Sequence, residues 1–146
     1  MYNTILVPLD GSKRAEAILP HAEALAQCHG AKVVFLEVVE APPLAAGSEI
    51  AFFENFQEEL EQRTKQARVY LAGLEGEFRE KGIEARVRVV HGPVVEAILN
   101  AAERENADLI VLASHGRSGV SRVFYGSVAA GVLHRADRPL LIIRSA

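Results

Sequence analysis

Covalent and metallic staples are the first things this chain of 146 residues lacks. It holds one cysteine, Cys28, so no intrachain disulfide can form and a reducing compartment is the natural setting. Its five histidines, at positions 21, 29, 91, 115 and 134, have no metal-ligand spacing with cysteine or with acids. No apolar run approaches the roughly 20 residues of a membrane span. The opening Met1–Pro8 has no basic leader, long apolar core or cleavage-type small residues, so a soluble cytoplasmic protein is expected. A net charge of −3 argues against nucleic acid as the main partner. Gly-x₄-Gly-Lys-Ser/Thr is also missing, which excludes a P-loop ATPase.

What is present suits one compact domain over residues 1–146, with no internal repeat. Apolar residues make up 49% of the chain, and a chain of this size buries roughly 68–70% of its unfolded surface. Charge is unevenly placed. Residues 113–146 carry five arginines (117, 122, 135, 138, 144) against Asp137, a balance of +4, so residues 1–112 carry −7. Positive charge concentrated in one segment suits an anionic ligand.

Hydrophobic periodicity predicts five strands alternating with four helices. Thr4–Leu9 is an apolar run closed by the turn residues Asp10-Gly11-Ser12. Ser12 can cap a helix with inward positions Ala15, Ile18, Leu19, Ala22, Leu25 and Ala26, stopped by Gly30. Pro20 inside that helix is expected to bend it by removing a hydrogen bond to Glu16. Val33–Leu36 with Val38-Val39 is a second strand, so continuously apolar that both its faces must be covered. After the linker-like 41–47, a long helix from about Glu49 to Lys81 carries the stripe Phe53, Phe56, Leu60, Ala67, Leu71, Leu74 and Phe78, weakened by Gly73 and Gly76. Ile83, Ala85, Val87 and Val89 alternate with charged residues, as at a sheet edge. Pro93 opens a helix turning Val94, Ile98, Ala101 and Ala102 inward. Leu109–Leu112 is a buried fourth strand, 127–137 a last helix, and Leu140–Ile143 a fifth strand. Five strands alternating with four helices give an open parallel α/β sheet. Right-handed crossovers leave few ways to wind it, and the expected fold is doubly wound, in the order 3-2-1-4-5, with helices on both faces.

One segment points to function. Ala113-Ser-His-Gly116-Arg117-Ser-Gly119 runs through residues 120–125 to Gly126-Ser127-Val128, from the end of strand four to the start of a helix. A glycine-marked loop that ends at a helix N-terminus presents backbone N–H groups and a positive dipole end, a setting for phosphate. Gly116, Gly119 and Gly126 are expected to permit positive φ and close approach of the backbone to phosphate oxygens. In a doubly wound sheet the ligand crevice lies where the winding reverses, here between strands one and four, and Asp10 closes strand one at that place. Asp10 would repel bare phosphate. It suits hydrogen bonds from ribose or base, or action through Mg²⁺, though Asp-Gly-Ser is also ordinary turn chemistry. Ser114 beside His115 invites a nucleophile reading, but neighbours at a strand end point in opposite directions and no third group is evident. His115 is expected to orient the loop or touch the ligand.

Val7-Pro8-Leu9-Asp10-Gly11-Ser12, together with Ser114-His115-Gly116, nine residues and Gly126-Ser127, resembles the universal stress protein family over the whole chain. The resemblance implies an adenine-nucleotide-binding fold, usually a homodimer formed through the last strand, here Leu140, Leu141, Ile142 and Ile143. It implies binding roles for Asp10, the neighbouring Pro8, the main chain of Val38 at the adenine edge, Gly116, Gly126, Ser127 and Val128. Arg117 and Gly119 lie in the same loop. The family's first glycine is Ala113 here, which costs ~1–2 kcal/mol if the position needs positive φ and little if it needs only a small residue. Glu37 stands where the family more often has histidine.

The expected function is therefore a cytoplasmic stress-response dimer that binds ATP with Mg²⁺, presents that state to an unnamed protein partner, and hydrolyses ATP slowly at most. A nucleotide-free dimeric interaction module is the alternative. An adenine-nucleotide hydrolase would need a further substrate domain.

Overall fold

The computed structural model describes residues 1–40, 49–115 and 126–145, with the side chains of 49–54 outside that description. Five strands form one parallel sheet: β1 (Thr4–Leu9), β2 (Lys32–Val39), β3 (Ala85–His91), β4 (Leu109–Ala113) and β5 (Leu140–Ile143). Their order is β3-β2-β1-β4-β5, as the sequence pattern predicts. The helices α1 (Leu19–His29), α2 (Glu49–Glu80), α3 (Val94–Arg104) and α4 (Ser127–Arg135) connect them.

Strand side chains alternate across the sheet, and each set meets a different helix pair. Ile5, Val7, Val33, Phe35, Leu109 and Val111 face α1 and α2, where they pack with Ala22, Ala26, Leu71, Leu74 and Phe78. Leu6, Val34, Leu36, Ile110 and Leu112 face α3 and α4, packing with Ile98, Ala101, Ala102, Ala129 and Val132. Phe35 and Phe78 meet edge to face, with centroids 4.9 Å apart. This double covering explains why the central strands read as unbroken apolar runs. It also fixes the sheet's carboxyl ends as the uncovered rim.

Two local features differ from expectation. The segment after β1 is not one helix bent at Pro20. A short 3₁₀ turn, Ala15–Ile18, leads into α1, and Pro20 sits in the first turn of α1. A proline there gives up an N–H that has no intrahelical partner, so it starts the helix rather than kinking it. Ser12 Oγ accepts the N–H of Ala15 at 3.2 Å, holding the turn that precedes it. At α3, Pro93 is the extended residue just before the helix, φ −61° and ψ 134°, rather than its first residue. The charged positions of β3 have a structural use: Arg86 and Arg88 both reach Glu105 beyond the end of α3.

Candidate functional site

The carboxyl ends of β1, β2 and β4 open into a crevice of about 900 Å³, within the range of roughly 300–1,000 Å³ common for small-molecule sites. Winding reverses between β1 and β4, so neither covering layer closes this part of the rim. Pro8 and Asp10 line the crevice from β1, and Val38 from β2. Ala113 and His115 line it from the end of β4, and Gly126, Ser127 and Val128 from the start of α4. These eight sequence-predicted positions thus share one cavity. Gly116, Arg117 and Gly119 lie outside the described residues.

The start of α4 has the backbone arrangement that suits an anion. Ala130 N bonds Gly126 O at 2.9 Å, beginning the helical ladder. The N–H groups of Ser127, Val128 and Ala129 precede it, in a first turn that has no earlier helical carbonyl to bond. Among the described residues no side chain caps this turn, and the N-cap residue, Gly126, has none to offer. Gly126 serves a different purpose from the one its residue type suggests. Its φ is −59°, a value any residue adopts, so positive φ is not the requirement. Its N–H donates to Ser114 O at 2.7 Å, and a Cβ there would stand 2.8 Å from that same oxygen. Contact with backbone is what demands glycine.

Ala113 is likewise extended, the last residue of β4 and paired in register with Ile143. The cost of an alanine at positive φ does not arise in this conformation.

Ser114 and His115 depart from the expectation that they diverge. Ser114 Oγ lies 3.0 Å from His115 Nδ1, because β4 ends at Ala113 and the strict alternation of a strand ends with it. Ser114 is 3% exposed and uses all its polar groups. Its N–H donates to Ile143 O at 2.7 Å, its carbonyl accepts from Gly126, and its Oγ accepts the Ser145 N–H at 3.0 Å. Ser145 Oγ in turn donates to Arg14 O at 3.1 Å, on the segment after β1.

The opposite end of the crevice is acidic. Asp10 Oδ1 accepts the N–H of Ser12 at 2.9 Å, which fixes the turn and the carboxylate together. Glu37 and Glu40 line the same side, as do Arg63, Gln66 and Tyr70 from α2. Tyr70 donates its hydroxyl to Glu16. Burial, then that hydrogen bond, then the negative charges of Glu16, Glu37 and Asp10 push its ionisation well above the ordinary tyrosine value.

Sequence reasoning missed the α2 contribution and the role of Ser145. The stripe on α2 shows which face is buried, but not how far the helix slides along the sheet. Nothing local marks Ser145. The arginine count also overstates the field at the site. Arg138 is spent on the carbonyls of Ala102 and Ala107, at 3.0 and 2.8 Å, and Arg135 lies in the last turn of α4, 3.9 Å from Glu96.

A family model described as the universal stress protein family matches residues 1–144. A universal stress protein of Thermus aquaticus is 35% identical over 144 residues, covering 99% of this chain and 100% of that protein. The solved structure of protein MJ0577, a universal stress protein of Methanocaldococcus jannaschii, superposes with a TM-score of 0.87 at 28% identity, covering 100% of this chain and 98% of that one. A family structure from Arabidopsis thaliana, with AMP bound, has the same fold at a TM-score of 0.65 and 16% identity, covering 99% and 92%.

Proposed function

We propose that this chain, which belongs to the universal stress protein family, binds ATP or a related adenine nucleotide in the crevice and acts as a cytoplasmic stress-response homodimer. One observation carries the reading: the two ends of the crevice differ in electrostatic sign. Carboxylates of Asp10, Glu37 and Glu40 outnumber Arg63 where β1 and β2 end, and helical N–H groups that no described side chain caps gather at α4. A nucleotide has matching polarity, since its sugar and base carry hydrogen-bond donors and its tail is anionic.

In this arrangement Asp10 accepts from the ribose, and the main chain of Val38 meets the adenine edge. The N–H groups of Ser127, Val128 and Ala129 hold the phosphates, with the Ser127 hydroxyl a further donor. Gly116, Arg117 and Gly119 belong to the loop that completes the phosphate side. That a family fold holds AMP supports the choice of ligand class. Among the described residues no three His, Cys, Asp or Glu side chains gather as a metal site. A Mg²⁺ would therefore arrive on the phosphates rather than in a site built by protein side chains. Among the described residues no helix is long and apolar enough to cross a membrane, in keeping with a cytoplasmic location.

The dimer reading rests on β5. It is an edge strand bonded to β4, and Leu140, Leu141, Ile142 and Ile143 are all only half-buried. A four-residue apolar edge is a template for another strand, and a two-fold axis satisfies both copies at once.

Calorimetry with ATP and Mg²⁺, and mass spectrometry of the denatured purified protein, test the ligand. Heat of binding, or a co-purified adenylate, is expected. No heat and an empty site would leave the nucleotide-free interaction module as the reading. Sedimentation at micromolar concentration tests the dimer, and a monomer there ends that part.

A further inference from the structure

We propose that Ser114 is a positioning residue whose hydroxyl fixes the tautomer of His115, so that the ring presents its Nε2–H at the start of α4. The proposal rests on the nucleotide reading above, but its central measurement does not need the nucleotide.

Bond directions lead to it. The Ser145 backbone N–H can only donate, so at 3.0 Å it fills an acceptor position on Ser114 Oγ. The Ser114 hydroxyl proton then needs an acceptor of its own. Ser114 is 3% exposed, so bulk water is not at hand. His115 Nδ1, at 3.0 Å, is the acceptor that the geometry supplies. A neutral imidazole that accepts at Nδ1 carries its proton on Nε2. The opposite tautomer would leave a buried hydroxyl proton without that partner, which proteins rarely tolerate.

The ring is also aimed. Its Cδ2 atom, bonded to Nε2, would stand 3.8 Å from a Cβ built on Gly126, so that edge of the ring lies beside the α4 N-cap. A donor there joins the helix N–H groups on one anion. Ser145 holds the arrangement from behind, since its hydroxyl reaches the Arg14 carbonyl at 3.1 Å and the His115 carbonyl at 3.4 Å. Ser145 thereby ties the segment after β1 to the segment after β4.

Two-bond ¹H–¹⁵N correlation spectra of the full-length protein decide the tautomer, with His115 assigned by the signal lost in His115→Gln. The expected spectrum has an unprotonated Nδ1 and a protonated Nε2. Ser114→Ala should shift His115 toward a tautomer mixture, while Ser114→Thr keeps the hydroxyl and should keep the spectrum. ATP affinity should fall roughly threefold to tenfold in Ser114→Ala, with little further loss when that change is added to His115→Ala. A protonated Nδ1 in the unmutated protein overturns the proposal. So does an unchanged tautomer in Ser114→Ala, or an equal affinity loss with and without His115. If the unmutated protein takes no adenylate, the functional reading fails and the spectra alone judge this one.

Discussion

Gly131 in α4 lies so close to Val95 in α3 that a Cβ placed on it would stand 2.7 Å from Val95 Cγ2 and 3.3 Å from Cγ1. The two helices cover one face of the sheet and approach each other through this missing side chain. Val95 is β-branched and stiff at χ1, so it cannot swing away cheaply. The glycine is a packing residue, although in a helix it is conformationally the worse choice.

Gly131→Ala should therefore destabilise the fold. Overpacking costs ~1–3 kcal/mol, and alanine returns about 1 kcal/mol of helix propensity, so a net loss of about 1 kcal/mol is expected. Val95→Ala in the same chain should recover part of it. In α2, Gly73 and Gly76 have nothing within 4 Å of a built Cβ, so alanine at either should stabilise by ~0.5–1 kcal/mol. Urea midpoints read both signs.

Gly126→Ala should weaken adenylate binding at least tenfold. Its Cβ would meet the Ser114 carbonyl oxygen at 2.8 Å, and both are backbone positions that cannot rotate aside. Moving the N-cap moves the first-turn N–H groups that the proposed function assigns to the phosphate. An affinity within twofold of the unmutated protein would show that α4 does not grip the ligand.

Ala113→Gly should leave ATP affinity unchanged within about twofold. Ala113 is extended, in register with Ile143, so glycine offers it no conformational relief. A tenfold gain in calorimetry would mean that the bound state needs positive φ there.

Tyr70→Phe should lessen the loss of stability at high pH. Burial, the Glu16 hydrogen bond and nearby carboxylates raise the ionisation of Tyr70 in the folded chain above its ordinary value of 10.0. Unfolding frees the phenol to ionise at the ordinary value, so the neutral folded phenol contributes stability fully present below pH 10.0. That contribution falls as pH rises above 10.0 toward the folded value. Chemical denaturation between pH 9 and 11 should show a shallower decline in Tyr70→Phe. An identical slope would mean that Tyr70 ionises alike in both states.

Most of the fold was legible because its signals are local. Leu109–Leu112 is apolar at every position since α-helices cover both faces of the strand, and β3 alternates because its charged side is wet. Pro20 misled because proline's effect depends on where the helix begins, and a 3₁₀ turn moved that start to Leu19. The site was legible by half. Asp10 and the α4 start carry turn and glycine chemistry that stands out in a sequence. Tyr70 and Ser145 do not, because their importance comes from partners far along the chain, Glu16 at 54 residues from Tyr70 and Ser114 at 31 residues from Ser145.

By itself, the order of apolar and turn residues determined the strands and helices and narrowed the winding to a few alternatives. Those follow from periodicity, chirality and the need to bury apolar surface, all of which act on short stretches of chain. Only the tertiary structure decided which atoms meet at the rim: that Gly126 is required by the Ser114 carbonyl and not by its own φ, that Ser114 turns toward His115, and that the tail closes on both. Contacts of 2.7–3.1 Å between segments far apart in the chain depend on register and helix placement, and no local pattern of residue types encodes these.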